Sequence, residues 1–389
     1  MGSLLLAVIY LIFISLGLPD SLLGSAWPTM RVVFDVPSSF AGYVSMTISL
    51  MTVISALISP SLIKKMRTQW IVIISIALTI LGLIGFSFCT AYWMLFIFAI
   101  PYGLGAGCID ASVNHYVANH YSGSAMSFLH CFYGVGAVIS PNIMALALKY
   151  ARWNQGYRWT ALIQSGILFI VILSVPLWKK SETAEDVEET ENSAGIKETV
   201  KRRGVKPTLA GFFAYCAGEA TCFLWTSSYF AGTKTGISPE LIASFGSLIF
   251  GGLMIGRLIS GFISEKMGDR RMIRIGAAVE LLGILLVMFS ADVYMIAVAG
   301  FLLIGIGMGP IYPSIQHMAP DNFGKRYSAA VIGMQMASAY VGSTLMPLCF
   351  GLLQQALGIW IMPYYVLLFL ILNIGFLEFS YRIIDKDED

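Results

Sequence analysis

Three carboxyl groups, those of Asp20, Asp110 and Glu219, lie within otherwise apolar stretches of this sequence. An ionisable side chain inside such a stretch is energetically costly and by default indicates function. Burial disfavours an ionised carboxylate and contact with water favours it, so a carboxyl group that is buried and wetted in turn takes up and releases a proton. The three positions therefore predict proton coupling. The alternative is that these carboxyl groups are permanently hydrogen-bonded and hold helices together.

Small and polar neighbours surround these acids. Asp20 follows Pro19 in a glycine-containing stretch that is typical of a broken helix. Asp110 and Asn114 are four residues apart and therefore share one face of a helix. The candidate solute ligands combine groups that hydrogen-bond to hydroxyls with an aromatic platform, a combination that suits a sugar: Asn114, His130, Tyr133, Glu219, Trp225, Gln316 and Gln335. The alternative for the His and Gln side chains is a hydrogen bond between neighbouring helices.

Other charged or titratable residues in apolar stretches point to structure rather than to solute binding. Arg257 lies one turn before a charged loop, and we expect it to pair with that loop or to extend toward the membrane surface. Glu280 is expected in a structural pair or at the lipid interface. His115 and His317 lie near the inner ends of their apolar stretches and are expected at the membrane interface.

The composition shows which solvent surrounds these residues. The chain has 389 residues, of which 57% are hydrophobic and 12% are charged, and its mean hydropathy is +0.77. A soluble domain carries about 25% charged residues. With half that share, most of the surface must face lipid, and the sequence predicts an all-α polytopic membrane protein.

Several function classes find no support in the sequence. No basic patch with interleaved aromatic residues indicates a nucleic-acid surface. The six cysteines are scattered without a CxxC pair or a Cys/His cluster, so neither a metal site nor a disulfide framework is expected. Because no nucleophile–base pair and no phosphate-binding loop occurs, the sequence predicts neither enzymatic activity nor a cofactor.

Twelve membrane spans are predicted, because a spanning helix needs about 20 mostly apolar residues. They lie at 4–28, 38–63, 69–89, 92–119, 123–149, 157–178, 208–232, 239–264, 273–291, 294–318, 327–353 and 359–382. Most of the 24 Lys and Arg residues fall in connections on the side of the termini, which the positive-inside rule assigns to the cytoplasm. The opposite connections hold Arg31, Lys149, Arg152, Arg158 and Lys234. We therefore expect a multi-pass protein of the cell (inner) membrane with both termini in the cytoplasm.

The hydrophilic stretch 179–206 divides the spans six and six. It predicts an N-terminal six-helix bundle at 1–178, a cytoplasmic linker, and a C-terminal six-helix bundle with a short cytoplasmic tail at 207–389. The segment Gly103–His115 in span 4 aligns with Gly305–His317 in span 10, and glycines recur at equivalent positions. Internal repeats build many secondary transporters, whose solute site lies at the repeat interface near mid-membrane. The repeated glycines predict close helix packing.

The connection between spans 8 and 9 carries a second motif. It reads Gly261-Phe-Ile-Ser-Glu265-Lys266-Met-Gly268-Asp-Arg270-Arg271 and resembles the loop signature of the major facilitator superfamily. Its glycines permit a tight turn and its acid can pair with nearby cations, which would form a cytoplasmic clamp that favours an outward-open state. The resemblance implies the major facilitator fold, with twelve transmembrane helices in two six-helix bundles.

A narrower resemblance rests on four short stretches. Asp110-Ala-Ser-Val-Asn114 is similar to the acid-x-x-x-Asn of span 4 in fucose-permease-like sugar transporters, and Asp20 falls where that branch has an acid in span 1. The stretches 130–137 and 218–225 are similar to parts of spans 5 and 7 in related members. The resemblance implies proton coupling or sugar binding for Asp20 and Asp110.

These observations predict a monomeric secondary transporter that carries a neutral sugar or polyol with a proton by alternating access, with sodium as the alternative coupling ion. The first rival is a proton-driven exporter of drugs or metabolites. The span 5 motif of such exporters has a glycine pair after its proline, whereas this chain has Asn142 and Ile143 after Pro141. The second rival is a non-transporting membrane sensor with the same fold.

Overall fold

The computed structural model describes residues 2–63, 65–121, 123–178 and 196–388, and within these ranges all regular secondary structure is helical. The long helices of the first half are Gly2–Asp20, Leu22–Val33, Phe40–Ile63, Thr68–Phe88, Met94–His120, Gly123–Tyr150 and Trp153–Leu173. Those of the second half are Val205–Thr233, Ser247–Met267, Asp269–Met288, Tyr294–Met308, Lys325–Leu357 and Met362–Glu388. Shorter helical segments are Val175–Leu177, Ile196–Thr199, Pro239–Ser244, Ile311–His317, Ala319–Phe323 and Ile359–Ile361.

Each predicted span coincides with helix. Spans 1, 8 and 10 each consist of two consecutive α-helices, and spans 6 and 12 each combine an α-helix with a short 3-10 helix. In the described part of the chain, ten helical stretches are long and apolar enough to cross a membrane. The two remaining predicted spans, 7 and 9, coincide with Val205–Thr233 and Asp269–Met288, and each of these helices contains an acid in its apolar part. The all-helical polytopic fold predicted from the sequence is confirmed.

The described residues group into two compact units. The first unit contains the described residues of 1–181 together with 223–251 and 351–360. The second unit contains those of 182–222, 252–350 and 361–389. One end of spans 7, 8 and 11 therefore belongs to the same unit as spans 1–6. The predicted division into two bundles stays a prediction, and residues 179–195 of the predicted linker lie outside the described residues.

The core of the first unit lies between spans 1, 3, 4, 5 and 6. Its buried side chains include Phe13 of span 1, Ile76 of span 3, Val113 of span 4 and Val171 of span 6. Lipid tails are as apolar as these side chains, so close packing and hydrogen bonds between helices hold such a unit together. This packing fixes span 1 against four neighbouring helices.

Repeated glycines determine how closely the helices pack in each unit. A methyl group on Gly103 or Gly107 of span 4 would collide with backbone carbonyls of span 2. In the second unit, a methyl group on Gly309 of span 10 would collide with the backbone of Gly256 in span 8. Spans 4 and 10 thus pack in equivalent ways, which is the close packing that the repeat predicts.

Candidate functional site

Span 1 is interrupted around Ser21. Pro19 has no backbone N–H, so the carbonyl four residues earlier, that of Ser15, loses its helical donor. The side-chain amide of Gln164 in span 6 donates to the Ser15 carbonyl at 2.5 Å, and the Tyr102 hydroxyl of span 4 donates to the Pro19 carbonyl at 2.6 Å. The predicted broken helix is present, and neighbouring helices satisfy its backbone, as an irregular segment at membrane depth requires.

The carboxylate of Asp20 lies at this break. Its Oδ2 accepts a hydrogen bond from the hydroxyl of Tyr133 in span 5, at 2.6 Å. The two spans can approach closely because glycines lie at their crossing: a methyl group on Gly17 or Gly136 would collide with the backbone of the other helix. The Asp20 side chain is exposed. The structure therefore brings a predicted coupling acid and a predicted ligand together at a solvent-accessible position.

Asp110 and Asn114 form a second polar pair in the first unit. The Asn114 amide nitrogen donates to Asp110 Oδ1 at 2.9 Å, as their spacing on one helix face predicts. The amide oxygen of Asn114 is buried and has no hydrogen-bond partner among the described residues. Asp110 also lies close enough to Asp20 for the two charges to interact. Two neighbouring acids and an amide oxygen that has no partner in the described part of the chain thus lie close together in the first unit.

His130 lies one helical turn before Tyr133 on span 5, and its side chain is exposed. Its imidazole ring packs edge-on against the ring of Phe13 in span 1, with ring centroids 5.8 Å apart. His130 therefore borders the same crossing of spans 1 and 5 that holds Asp20, but at a neighbouring level.

Glu219 is the centre of a charged cluster in the second unit. Its Oε1 accepts a hydrogen bond from the Tyr215 hydroxyl at 2.7 Å and lies 3.9 Å from Nη2 of Arg257 in span 8. Arg257 thus pairs with Glu219. The sequence predicts instead that Arg257 pairs with the charged loop or extends toward the membrane surface. The observed partner differs from the predicted one because spans 7 and 8 pack so that the two side chains meet near the middle of both helices.

Glu280 extends this cluster. Its side chain is only 3% exposed, and it lies close enough to Glu219 for their charges to interact. Glu280 is buried among protein atoms, so the lipid-interface alternative does not describe it. Sequence reasoning missed Tyr215 as a partner of Glu219, although the four-residue spacing of the two residues on one helix could have revealed it.

Span 10 carries a polar pair at the positions equivalent to the pair in span 4, but the side chains are different. Tyr312 and Gln316 stand at the positions equivalent to Asp110 and Asn114, and the Gln316 amide nitrogen lies 3.4 Å from the Tyr312 hydroxyl. The same nitrogen lies 3.2 Å from the sulfur of Met336 in span 11. Gln316 is therefore oriented by its neighbours as Asn114 is, but its partners among the described residues are a hydroxyl and a thioether rather than an acid.

Two other predicted ligands are buried. The Gln335 side chain is fully buried, and neither of its amide atoms has a hydrogen-bond partner among the described residues. Trp225 is also fully buried and packs against Gly351, where a methyl group would collide with its indole ring. In this conformation neither residue faces an open space, and their solute-binding role stays a prediction.

The loop motif between spans 8 and 9 contains the expected tight turn at one of its two glycines. Gly268 has a φ of 76° and directly precedes the helix Asp269–Met288. The Asp269 carboxylate lies 2.8 Å from Nδ1 of His317 at the end of span 10. Arg270 makes a bidentate pair with Asp385, with N–O distances of 3.0 and 2.8 Å. The loop is therefore tied to the ends of spans 10 and 12.

The remaining motif residues make a smaller contribution to this arrangement. A methyl group on Gly261 would meet no atom within 4 Å, so close packing does not require glycine there. Lys266 and Arg271 are exposed. The side chain of Glu265, the predicted acid of the clamp, lies outside the described residues. The described pairings of the loop come instead from Asp269 and Arg270.

The sequence matches a known family and several of its members. The family model of the Major Facilitator Superfamily matches residues 9–250 and 208–388. The Glucose/mannose transporter GlcP of Bacillus subtilis is 22% identical over 88% of this chain and 86% of its own length. The Tetracycline resistance protein, class H, of Pasteurella multocida is 24% identical over 82% of each chain.

A solved structure supports the same fold. A bacterial homologue of the human lysosomal transporter Spinster, in an inward-facing and occupied conformation, is 13% identical and matches with a TM-score of 0.78, covering 99% of this chain and 98% of that chain. These matches are transporters rather than enzymes, but their names differ in solute. Because the family model covers both halves of the sequence, the chain belongs to the Major Facilitator Superfamily and is a membrane transporter of that family.

Proposed function

We propose that this protein is a secondary active transporter that carries a neutral sugar or polyol together with a proton, as in the fucose-permease-like branch. The observation that carries the proposal is the exposed Asp20 carboxylate at the break of span 1, hydrogen-bonded to Tyr133. Similarity to a glucose/mannose transporter supports a sugar as the solute. Asp20 and Asp110 are the proposed coupling residues, with Glu219 as a third.

The coupling follows from the environment of Asp20. When water reaches the site, the solvent and the Tyr133 hydroxyl both stabilise the ionised carboxylate. When the site closes and the water leaves, desolvation favours the neutral form. Asp110 lies close by, and two ionised carboxylates repel each other. Closure therefore proceeds most readily after a proton has bound.

Solute recognition would use groups that the local pairs leave free. Asn114 uses its amide nitrogen on Asp110, and its oxygen can accept a hydrogen bond from a solute hydroxyl. Gln316 holds the repeat-related position in the second half. A sugar hydroxyl both donates and accepts, so it can satisfy both residues. The proposed solute ligands also include His130, Trp225 and Gln335. Trp225 and Gln335 would contact the solute only in a conformation of the transporter that exposes them.

The proposed topology places both termini in the cytoplasm and the monomeric protein in the cell (inner) membrane. The excess of Lys and Arg in the connections near the termini supports this orientation. The two bundles 1–178 and 207–389 would alternate access. The loop between spans 8 and 9 would act as a cytoplasmic gate through its contacts with His317 and Asp385.

Uptake by the purified full-length protein in liposomes tests this function. Labelled hexoses, polyols and deoxy sugars are supplied with and without an inward proton gradient. We expect one solute to accumulate, and we expect a protonophore to abolish the accumulation. Asp20→Asn and Asp110→Asn should lose gradient-driven accumulation while exchange of labelled for unlabelled solute continues.

The matched control is Asp292→Asn, the same change in the exposed connection between spans 9 and 10. It should accumulate the solute as the wild type does. Undiminished proton-driven uptake by both Asp20→Asn and Asp110→Asn would contradict coupling at these residues. Accumulation driven by a sodium gradient alone would replace the proton by sodium, since carboxylates and amide oxygens are also sodium ligands.

A proton-driven exporter is the second candidate function, and the similarity to a tetracycline resistance protein favours it. An exporter would extrude a preloaded drug from liposomes when a proton gradient is imposed in the opposite direction to solute movement. If no sugar or polyol moves under any gradient and a drug is extruded in this way, the exporter replaces the symporter.

A further inference from the structure

A cavity of about 140 Å³ lies in the first unit. The end of span 1, the connection to span 2 and the ends of spans 7 and 11 line it. Its polar lining residues are Arg31, Ser38, Ser228 and Gln354. None of its lining residues belongs to the proposed coupling or solute-binding residues.

The polar groups of this cavity include donors that lack acceptors. Gln354 is only 6% exposed, and its amide nitrogen has no hydrogen-bond partner among the described residues. The Ser228 hydroxyl, on a side chain that is 5% exposed, is likewise unpartnered in the described part of the chain. Buried donors without acceptors are unfavourable, so an occupant that accepts hydrogen bonds would relieve both.

Arg31 adds a positive charge to the same lining. It is half-buried, and it forms no ion pair with a carboxylate in the part of the chain that the structure describes. A guanidinium group presents a planar fork of donors that matches the two oxygens of a carboxylate. The complementary occupant therefore carries a negative charge as well as acceptor atoms.

Hydrogen bonds hold the walls of the cavity in place. The indole nitrogen of Trp27 donates to the Ser38 carbonyl at 2.7 Å. The Ser39 hydroxyl donates to Oε1 of Gln355 at 2.8 Å, which joins the connection after span 1 to the end of span 11. The polar groups are thus largely positioned before any occupant arrives, which lowers the entropic cost of binding.

We propose that this cavity binds a small monocarboxylate, with Arg31 as its charged partner and Gln354 and Ser228 as additional donors. Arg31 comes from the first half of the sequence, whereas Ser228 and Gln354 come from the second half. A bound carboxylate therefore links the ends of spans 1, 7 and 11 and stabilises the arrangement in which they are packed together. The proposal does not depend on which solute is transported.

Acetate is the probe for the test. Saturation-transfer NMR on the acetate methyl group, with the full-length protein in detergent, measures binding while sodium chloride keeps the ionic strength constant. We expect saturable binding by the wild type and at least about tenfold weaker binding by Arg31→Gln. Gln354→Leu should also weaken binding. Arg152→Gln is the matched control, because Arg152 is an exposed arginine of the same unit, outside the cavity.

A second measurement keeps the result independent of folding defects. Arg31→Lys retains the charge but lacks the planar fork, so it should fold normally and bind acetate more weakly than the wild type. Acetate should raise the Tm of the wild type and leave that of Arg31→Gln unchanged. Equal acetate affinity in wild type and Arg31→Gln, or no saturable binding up to about 100 mM, would overturn the proposal. Displacement of acetate by equimolar chloride would assign the cavity to halides instead and overturn the carboxylate assignment.

Discussion

The hydrogen bond from Tyr133 to Asp20 is the contact on which the proposed coupling most depends. Hydrogen bonds to charged groups contribute about 1.5–3 kcal/mol, which corresponds to at least a factor of ten in an equilibrium. Tyr133→Phe removes this donor without removing the ring. We expect it to impede loss of the proton from Asp20 and to lower gradient-driven accumulation about tenfold, as measured by uptake in liposomes.

Tyr10→Phe provides the control for this change. Its ring stacks on Phe132 with centroids 4.7 Å apart, so the packing of spans 1 and 5 is retained when the hydroxyl is removed. It should transport as the wild type does. Equal activity of the wild type and Tyr133→Phe would show that the bond to Asp20 has no part in the cycle.

The sequence could identify the acids but not most of their partners. Asp20 stands out because a carboxyl group in an apolar stretch is rare, whereas its bond to Tyr133 depends on how two helices cross. The pairing of Glu219 with Arg257 likewise depends on how two helices pack against each other. The bond between Tyr215 and Glu219 is local, and their spacing on one helix would have sufficed to predict it.

The two glycines of the motif between spans 8 and 9 should respond differently to substitution by alanine. Gly268 has a φ of 76° and a ψ of 152°, a region that is essentially restricted to glycine, so Gly268→Ala should destabilise the protein by about 1–3 kcal/mol. Gly261 lies within a helix and has open space around it, so Gly261→Ala should be neutral or stabilise by up to about 1 kcal/mol. Thermal unfolding in detergent compares the two, and a similar loss of stability in both variants would contradict this account.

The helices could be predicted largely from the sequence, because the thickness of a bilayer requires an apolar stretch of a certain length. Pro19 and its glycine neighbours also predicted the break in span 1. The groups that satisfy this break, Gln164 and Tyr102, lie in other spans and could not be inferred from local pattern. The break in span 10 falls at Gly309 and Pro310, so it carries a proline signal like that of span 1. The break in span 8 has only Gly246, and the hydropathy pattern does not reveal it because both halves of the span are apolar.

The orientation of the whole molecule can be tested by labelling single cysteines. The variants are made in a background that lacks the exposed Cys349. Thr90→Cys, in the exposed connection between spans 3 and 4, should react with a membrane-impermeant maleimide on intact cells. Lys201→Cys, an exposed position before span 7, should react only after the membrane is permeabilised. The reverse pattern would invert the proposed topology.

At the scale of the whole chain, the sequence predicted the family through one loop motif and an internal repeat. It did not reveal that the ends of spans 7, 8 and 11 pack in one unit with spans 1–6. That arrangement belongs to one conformation of a transporter, and the hydropathy of a helix is the same in every conformation. Membership of the family does not determine the solute either, because relatives with similar sequence identity to this chain are named for a sugar and for a drug.

The repeat-related pair Asp110 and Tyr312 has a consequence for the evolution of such a protein. Codons for aspartate and tyrosine differ only in their first base, so one nucleotide change converts either residue into the other. If a symmetric duplicated ancestor carried an acid at both positions, a single point mutation was enough to leave the charge in one half. The reverse substitution, Tyr312→Asp, is equally accessible, and selection on a new solute or ion could reach it in one step.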